Sequence, residues 1–351
     1  MRFASIVGTR PQFVKVALVS KILRQQHEEL IIHTGQHYDY ALSTQFFNEL
    51  AIPEPDYYLG CGSASHAVQT ARMLIAQEEV LTKERIDWVI VYGDTNSTLA
   101  AALVAAKLHI PIAHIEAGLR SFNRAMPEEI NRIVTDHLSS RLFCPTETAR
   151  QQANREGLFQ GVEFVGDVMY DMLLQVQSKL DDRINLLLPE LHITPQKYML
   201  TTVHRPVNTD DRTAMSAIVK ALNKIEMPII FPVHPRTRAC LQNYGIQLGK
   251  HIQLIEPVGY LDMLALQRAA YRIITDSGGI QKEAFLQGVP CVTLRDETEW
   301  METVQLGWNA LVGTQWQRIL EALARPAPQP ACQKPFGQGD AAIRIVQSWQ
   351  R

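Results

Sequence analysis

Cysteine is scarce in this chain. Cys61, Cys144, Cys240, Cys291 and Cys332 are the only five among 351 residues, and no two form a CxxC pair. The odd number and wide spacing suit reduced thiols in a cytosolic protein. An excess of either charge is also missing. The 34 Lys and Arg stand against 36 Asp and Glu, leaving a net charge of −2. No basic surplus draws the chain to nucleic acid or an anionic membrane. No apolar run reaches the ~18 residues that span a bilayer. The first apolar stretch, Ala4 to Val7, is too short for a signal-peptide core and suits a first strand. Several motifs are absent as well: GxGxxG after the first strand, the P-loop GxxxxGK[ST], HExxH and GxSxG. His33, His37, His114, His137 and His251 are scattered at spacings that suggest no metal site. Nicotinamide, P-loop and metalloprotease chemistry are therefore unsupported, and no cofactor is expected.

The sequence does hold an alternation. Short apolar runs at Phe3–Val7, Leu30–Thr34, Trp88–Tyr92, Ile112–Ile115, Arg141–Cys144 and Glu163–Val165 are separated by segments of helical character such as Val14–Gln26 and Thr98–Leu108. After a polar helical stretch at Gln175–Pro189 the pattern restarts, with runs at Tyr198–Val203, Ile229–Val233, Ile252–Ile255, Arg272–Thr275 and Cys291–Leu294. Repeated strand–helix units imply parallel sheets covered on both faces. The length suits two domains. We expect an α/β protein of two doubly wound domains with a cleft between them: residues 1–170, to which a last helix at 336–351 returns, and residues 171–335. Pro326, Pro328 and Pro330 would form the crossover.

In open parallel sheets ligands bind beyond the carboxyl ends of the strands, and the chemically distinctive residues gather there. Gly8-Thr9-Arg10 follows the first run, with Lys15 a turn into the next helix. Gly93-Asp94-Thr95, Glu116-Ala117-Gly118, His204-Arg205 and His234-Pro235-Arg236 follow four others. The most informative segment is Thr275-Asp276-Ser277-Gly278-Gly279-Ile280-Gln281-Lys282-Glu283. A strand, a Ser-Gly-Gly turn and a helix N-terminus make an anion site, because free N–H groups and the helix dipole both favour negative charge. Glu283, one turn in, is placed to accept from a ribose diol. Asp94, Glu116 and Glu128 supply carboxylates; mutual proximity in a buried site would split their pKa values, suiting proton removal and delivery at adjacent carbons. Glu129 beside them is read as a helix-N-terminal acid only. Arg10, Lys15, His204 and Arg205 are suited to a pyrophosphate, with His204 stabilising or protonating it as it departs.

Together these segments closely resemble the non-hydrolysing UDP-N-acetylglucosamine 2-epimerases, over about residues 1–315. The resemblance rests on Gly8-Thr9-Arg10-Pro11 with Lys15, Thr34-Gly35-Gln36-His37, Gly93-Asp94-Thr95, His114-Ile115-Glu116-Ala117-Gly118-Leu119-Arg120, Pro127-Glu128-Glu129-Ile130-Asn131-Arg132, Val165-Gly166-Asp167, His204-Arg205 and the Thr275–Glu283 segment. It implies two Rossmann-like domains in the GT-B arrangement, UDP held mainly by the second, a homodimer in the cytoplasm, and no metal. It implies inversion at C2 of a UDP-2-acetamido sugar through elimination of UDP to a 2-acetamidoglucal and re-addition. It implies catalytic positions at Asp94, Glu116, Glu128 and His204, sugar and phosphate contacts at Arg10 and Lys15, and UDP contacts at Ser277, Gly278, Gly279 and Glu283; Arg205 and His234, at strand ends, are read as further substrate contacts. Some members bind a second UDP-sugar as activator, a site matched here by Gln36, His37 and Arg72.

Three departures concern the substrate. Gln12-Phe13-Val14 follows Pro11, Pro206-Val207-Asn208 follows His204-Arg205, and Glu297-Thr298-Glu299-Trp300 replaces a form ending in Arg. These resemble a subgroup acting on UDP-2,3-diacetamido-2,3-dideoxyglucuronate. Gln12 and Val207 each lack a carboxylate carried by the commoner enzymes, and so would tolerate an anionic sugar. UDP-GlcNAc remains the first expectation. A glycosyltransferase of the same fold, a hydrolysing epimerase and a UDP-sugar sensor share parts of this pattern. A sensor has no use for the acids.

Overall fold

The computed structural model describes residues 1–36, 46–329 and 333–350. The chain divides into two units, Met1–Gln175 with the C-terminal segment from Lys334, and Val176–Gln333.

The first unit contains β1 (Arg2–Val7), α1 (Arg10–Leu23), β2 (Glu28–His33), β3 (Tyr57–Tyr58), α2 (His66–Glu84), β4 (Trp88–Tyr92), α3 (Asn96–Lys107), β5 (Ile112–Ile115), α4 (Pro127–Leu138), β6 (Arg141–Cys144), α5 (Glu147–Arg155) and β7 (Val162–Phe164). Its sheet is parallel throughout, in the order β3-β2-β1-β4-β5-β6-β7. The central strands are buried on both faces, which is why they read as near-continuous apolar runs. α6 (Val168–Glu190) begins in this unit, and the division falls inside it after Gln175.

The second unit holds β8 (Met199–Thr202), α7 (Pro206–Thr209), α8 (Arg212–Leu222), β9 (Ile229–Pro232), α9 (Pro235–Asn243), β10 (Ile252–Ile255), α10 (Tyr260–Ala269), β11 (Arg272–Thr275), α11 (Gly278–Leu286), β12 (Cys291–Thr293), α12 (Met301–Gln305), β13 (Asn309–Leu311) and α13 (Trp316–Leu323). This sheet is also parallel, in the order β10-β9-β8-β11-β12-β13. One apolar layer, including Ile218, Leu222, Phe231 and Ile319, covers one face. Another, including Tyr198, Leu200, Leu266 and Ile273, covers the other.

Both strand orders reverse direction once, between β1 and β4 in the first sheet and between β8 and β11 in the second. Loops leaving such a pair of strands diverge to opposite faces and leave a crevice at their carboxyl ends. Two strands, β3 and β13, were not expected from the sequence. With two and three residues, neither is long enough to show a two-residue period.

The C-terminal helix is α14 (Ala341–Gln347), shorter than the expected 336–351, and Ser348–Gln350 tightens into a 3-10 turn. It packs on α1. Trp349 sets its ring edge-on against Phe3 at 4.9 Å and Phe143 at 5.6 Å. Of the three prolines expected to carry the crossover, Pro330 lies outside the described residues.

Candidate functional site

In the first unit the reversal point is built from the turns after β1 and β4. Gly8 leaves β1 in a place no side chain fits, since a Cβ would lie 2.1 Å from Thr34 Oγ1 and 2.3 Å from Ser97 Oγ. Thr9 and Gln12 then form a capping box at the start of α1. Gln12 Oε1 accepts from Gly8 N at 2.8 Å and Thr9 N at 3.1 Å, and its Nε2 donates to Tyr92 O at 2.8 Å and Thr98 Oγ1 at 3.0 Å. All of its bonding capacity is spent inside the protein. The expectation that Gln12 faces the sugar and admits its carboxylate is therefore corrected: Gln12 is a buried brace between the β1 and β4 turns. Phe13 is likewise core, packed against His33 and Phe47.

Lys15, one turn into α1, is buried and pairs with Glu116 through a short contact from Nζ to Oε1. Glu116 directly follows β5 and holds a left-handed backbone at φ +72°. That region is costly for a residue with a Cβ, and such strain is typical of functional positions. Gly93, after β4, is left-handed at φ +61°, and a Cβ there would sit 2.9 Å from Lys15 Nζ. Lys15 and Glu116 share a small recess with Gly166, Asp167 and Val168.

Asp94 follows Gly93 in the turn after β4, the strand adjacent to β5. Its Oδ2 accepts from Arg132 Nε at 2.9 Å and Nη2 at 2.6 Å, and Asn131 Nδ2 donates to its carbonyl at 2.9 Å. Arg132 is buried and bridges to Glu129 Oε2 at 2.9 Å. Glu129 in turn accepts from Ser121 N and Phe122 N, both at 2.9 Å. It is thus a buried anchor for that loop and for Arg132, more than the plain helix-N-terminal acid expected. Glu128, on the same first turn of α4, is half-buried and has no hydrogen bond or ion pair among the described residues. Arg10 lies at the first position of α1, its guanidinium 5.5 Å above the Phe46 ring.

The second unit repeats this construction. Asp276, after β11, is buried and gathers the turn after β8. It accepts from His204 N at 3.1 Å, Arg205 N at 2.9 Å and Asn208 Nδ2 at 3.0 Å, and lies 3.0 Å from His204 Nδ1. Burial alone would raise the carboxyl of Asp276, but His204 and these donors outweigh it and hold it down at about 2. The Nδ1 contact fixes the imidazole, whose side chain remains 45% exposed, so Nε2 is left for chemistry.

Ser277 caps α11 and Gly278 and Gly279 open its first turn, half-exposed. The two glycines serve different ends. A Cβ on Gly278 would lie 2.2 Å from Glu299 Oε1, whereas one on Gly279 would meet only Ser277 Oγ at 4.0 Å. Gly278 makes room for Glu299; Gly279 leaves the helix N-terminus open to an anion. Glu283 is buried and accepts from Gln267 Nε2 at 2.7 Å. His234 caps α9 through Nδ1, which accepts from Arg236 N at 3.2 Å, and is exposed.

Gln36 is committed to α3, its Oε1 accepting from Ser97 N at 3.0 Å and Ser97 Oγ at 2.7 Å. Arg72 Nη1 reaches Cys61 O at 3.5 Å. His37 lies outside the described residues. Among the described residues no three His, Cys, Asp or Glu side chains come together as metal ligands would, and no helix is long and apolar enough to cross a membrane.

Sequence reasoning passed over Arg132, Asp136, Asp276 and Gln267 as site components. Asp276 had one signal: it sits at a strand end. The others lie in helix interiors, where a polar residue looks like a solvated face.

Comparison with known proteins places these features in a family. Residues 21–350 match the family model described as UDP-N-acetylglucosamine 2-epimerase. A UDP-N-acetylglucosamine 2-epimerase homolog of Methanococcus maripaludis is 52% identical, covering 99% of both chains. The UDP-2,3-diacetamido-2,3-dideoxy-D-glucuronate 2-epimerase of Pseudomonas aeruginosa is 46% identical, again over 99% of both. The fold matches a crystal structure of the Methanocaldococcus jannaschii UDP-GlcNAc 2-epimerase in complex with UDP-GlcNAc and UDP. The TM-score is 0.93 at 41% identity, with 100% of this chain and 99% of that one covered.

Proposed function

The chain belongs to the UDP-N-acetylglucosamine 2-epimerase family, and from that premise we propose that it interconverts UDP-GlcNAc and UDP-ManNAc by eliminating and re-adding UDP. The observation that carries the reading is the pair of acids at the ends of adjacent strands: Asp94 held by buried Arg132, and Glu116 held by buried Lys15. In the proposed reaction a carboxylate of the first unit takes the C2 proton while the C1–O bond breaks and UDP departs with the bonding pair. A 2-acetamidoglucal remains. A proton then reaches C2 from the opposite face and UDP re-forms the bond to C1, so atoms and charge balance without a redox step.

Asp94, Glu116 and Glu128 carry the proton transfers, and His204 stabilises the departing pyrophosphate through Nε2. Arg10, Lys15, Arg205 and His234 hold sugar and phosphates. Ser277, Gly278 and Gly279 present the α11 N-terminus to the pyrophosphate, and Glu283 accepts from the ribose. The acids belong to the first unit and the Ser-Gly-Gly turn to the second, and the enzyme is read as a homodimer working in the cytoplasm. Gln36, His37 and Arg72 would be the activator contacts if a second UDP-sugar binds.

One observation favours a second reading, the same reaction on UDP-2,3-diacetamido-2,3-dideoxyglucuronate: the Pseudomonas aeruginosa relative that acts on that sugar is 46% identical. Of the residue differences that pointed the same way, Gln12 weighs less because it is buried and fully hydrogen-bonded, whereas Val207 is exposed. The test compares kcat/KM for the two UDP-sugars, the ratio that measures specificity. UDP-GlcNAc is expected to be the better substrate. A preference of tenfold or more for the uronate, about 1.4 kcal/mol in transition-state binding, overturns the assignment while leaving the reaction intact.

A further inference from the structure

His114 occupies the middle of β5 and is fully buried. Its Nδ1 lies 2.7 Å from Asp136 Oδ1, and its Nε2 lies 2.7 Å from the carbonyl oxygen of Gly93. A backbone carbonyl only accepts. Asp136 is also held as an acceptor: its other oxygen takes hydrogen bonds from Arg120 Nη1 at 2.6 Å and Gly118 N at 3.1 Å. Burial would favour a neutral Asp136, but His114 and Arg120 outweigh it and keep the carboxyl below its ordinary range. Each ring nitrogen of His114 therefore faces an oxygen that cannot donate. A neutral imidazole has one N–H and one acceptor nitrogen, so it would set one lone pair against another. Only the form with a proton on both nitrogens satisfies this pocket.

The contacts link the two acid-bearing turns. Gly93 immediately precedes Asp94, and Gly118 lies two residues beyond Glu116. The chain Gly93 O–His114–Asp136–Gly118 N thus ties the turn after β4 to the turn after β5 through two fully buried side chains. Asp136 lies on α4, whose Asn131 and Arg132 hold Asp94 directly. One helix and one histidine thus touch both acid-bearing turns.

We propose that His114 is a buried imidazolium that, with Asp136, acts as a positioning pair setting the Asp94 and Glu116 turns in register for proton transfer at C2. The proposal rests on the epimerase reading for its function, but not for its charge state, and the two fail separately. The first measurement is made on the intact wild-type enzyme. Nitrogen-15 NMR of the histidine rings at neutral pH is expected to show residue 114 with protons on both nitrogens. A neutral ring at that position overturns the proposal whatever the substrate.

The second measurement compares His114→Gln and Asp136→Asn with wild type, using UDP-GlcNAc turnover and UDP affinity. A displacement of the acids by a fraction of an ångström is expected to lower kcat by roughly 10- to 100-fold, with UDP affinity little changed, since the contacts proposed for the nucleotide at Ser277, Gly278, Gly279 and Glu283 lie in the other unit. Folded variants with wild-type kcat overturn the proposal, as does a loss of UDP affinity in step with kcat, which marks general damage. If neither variant folds, the wild-type ring spectrum decides alone. Absence of wild-type turnover with a doubly protonated ring overturns the substrate reading instead.

Discussion

Single residues carry more of this site than their sequence positions suggest. Asp94 and Glu116 are legible because a charged residue directly after an apolar strand has few structural reasons to be there. Their supports are not: Arg132 lies within α4 among Asn131, Asp136 and His137, and nothing in that string says which side chain turns inward. Arg132→Lys tests the support. A lysine keeps the charge but loses the fork that grips Asp94 Oδ2 and Glu129 together. A kcat loss of about tenfold or more is expected with little change in UDP affinity, and a variant of wild-type rate would show that Asp94 needs no such anchor. Gln12→Glu separates bracing from substrate choice. The carboxylate still accepts from Gly8 and Thr9 but cannot donate to Tyr92 O and Thr98 Oγ1. Stability should fall by about 1–3 kcal/mol, the scale of an unsatisfied buried group. Activity on neutral and anionic UDP-sugars should fall equally; selective loss of one would return Gln12 to the sugar site.

At the scale of elements, the α11 N-terminus and the junction of α6 with α14 give opposite pH responses. Asp276 has a folded-state pKa of about 2 against an ordinary 3.8. Its stabilisation is complete above the ordinary value and is lost as pH falls from about 4 towards 2. Asp276→Asn should therefore cost stability at pH 7 and make unfolding less acid-sensitive across that window, as read by circular dichroism. Asp171 on α6 accepts from Ala342 N at 2.8 Å at the start of α14. Burial is the main cause that lifts its carboxyl from 3.8 to about 6, with nearby Asp167 and Asp340 adding to it. The folded state holds that proton more tightly, so the favourable term is complete below the ordinary value and lost as pH rises through about 6. Asp171→Asn should raise Tm at pH 7.5 and change it little at pH 5; a lower Tm at both would mean that the ionised carboxylate is what caps α14. Long apolar strands were readable from pattern alone, whereas β3 and β13 were not, and the division falls inside the continuous helix α6, with no loop and only the polar stretch from Gln175 to mark it.

For the whole molecule, the candidate site turns lie at the carboxyl ends of central strands in both parallel sheets, and each set is tied by a buried acid, Asp136 in one unit and Asp276 in the other. The sequence showed the repeated strand–helix series but not this shared bracing, which depends on contacts between residues far apart in the chain. In the proposed reaction the acids of the first unit exchange a proton at C2 while UDP is off the sugar. Turnover of UDP-GlcNAc in D₂O, followed by mass spectrometry and proton NMR, reads that exchange. UDP-ManNAc carrying one deuterium, located at C2, is expected, with exchange slowed by about 10²-fold or more in Asp94→Asn and Glu116→Gln. Epimerised product without deuterium, or full exchange in both variants, would contradict it.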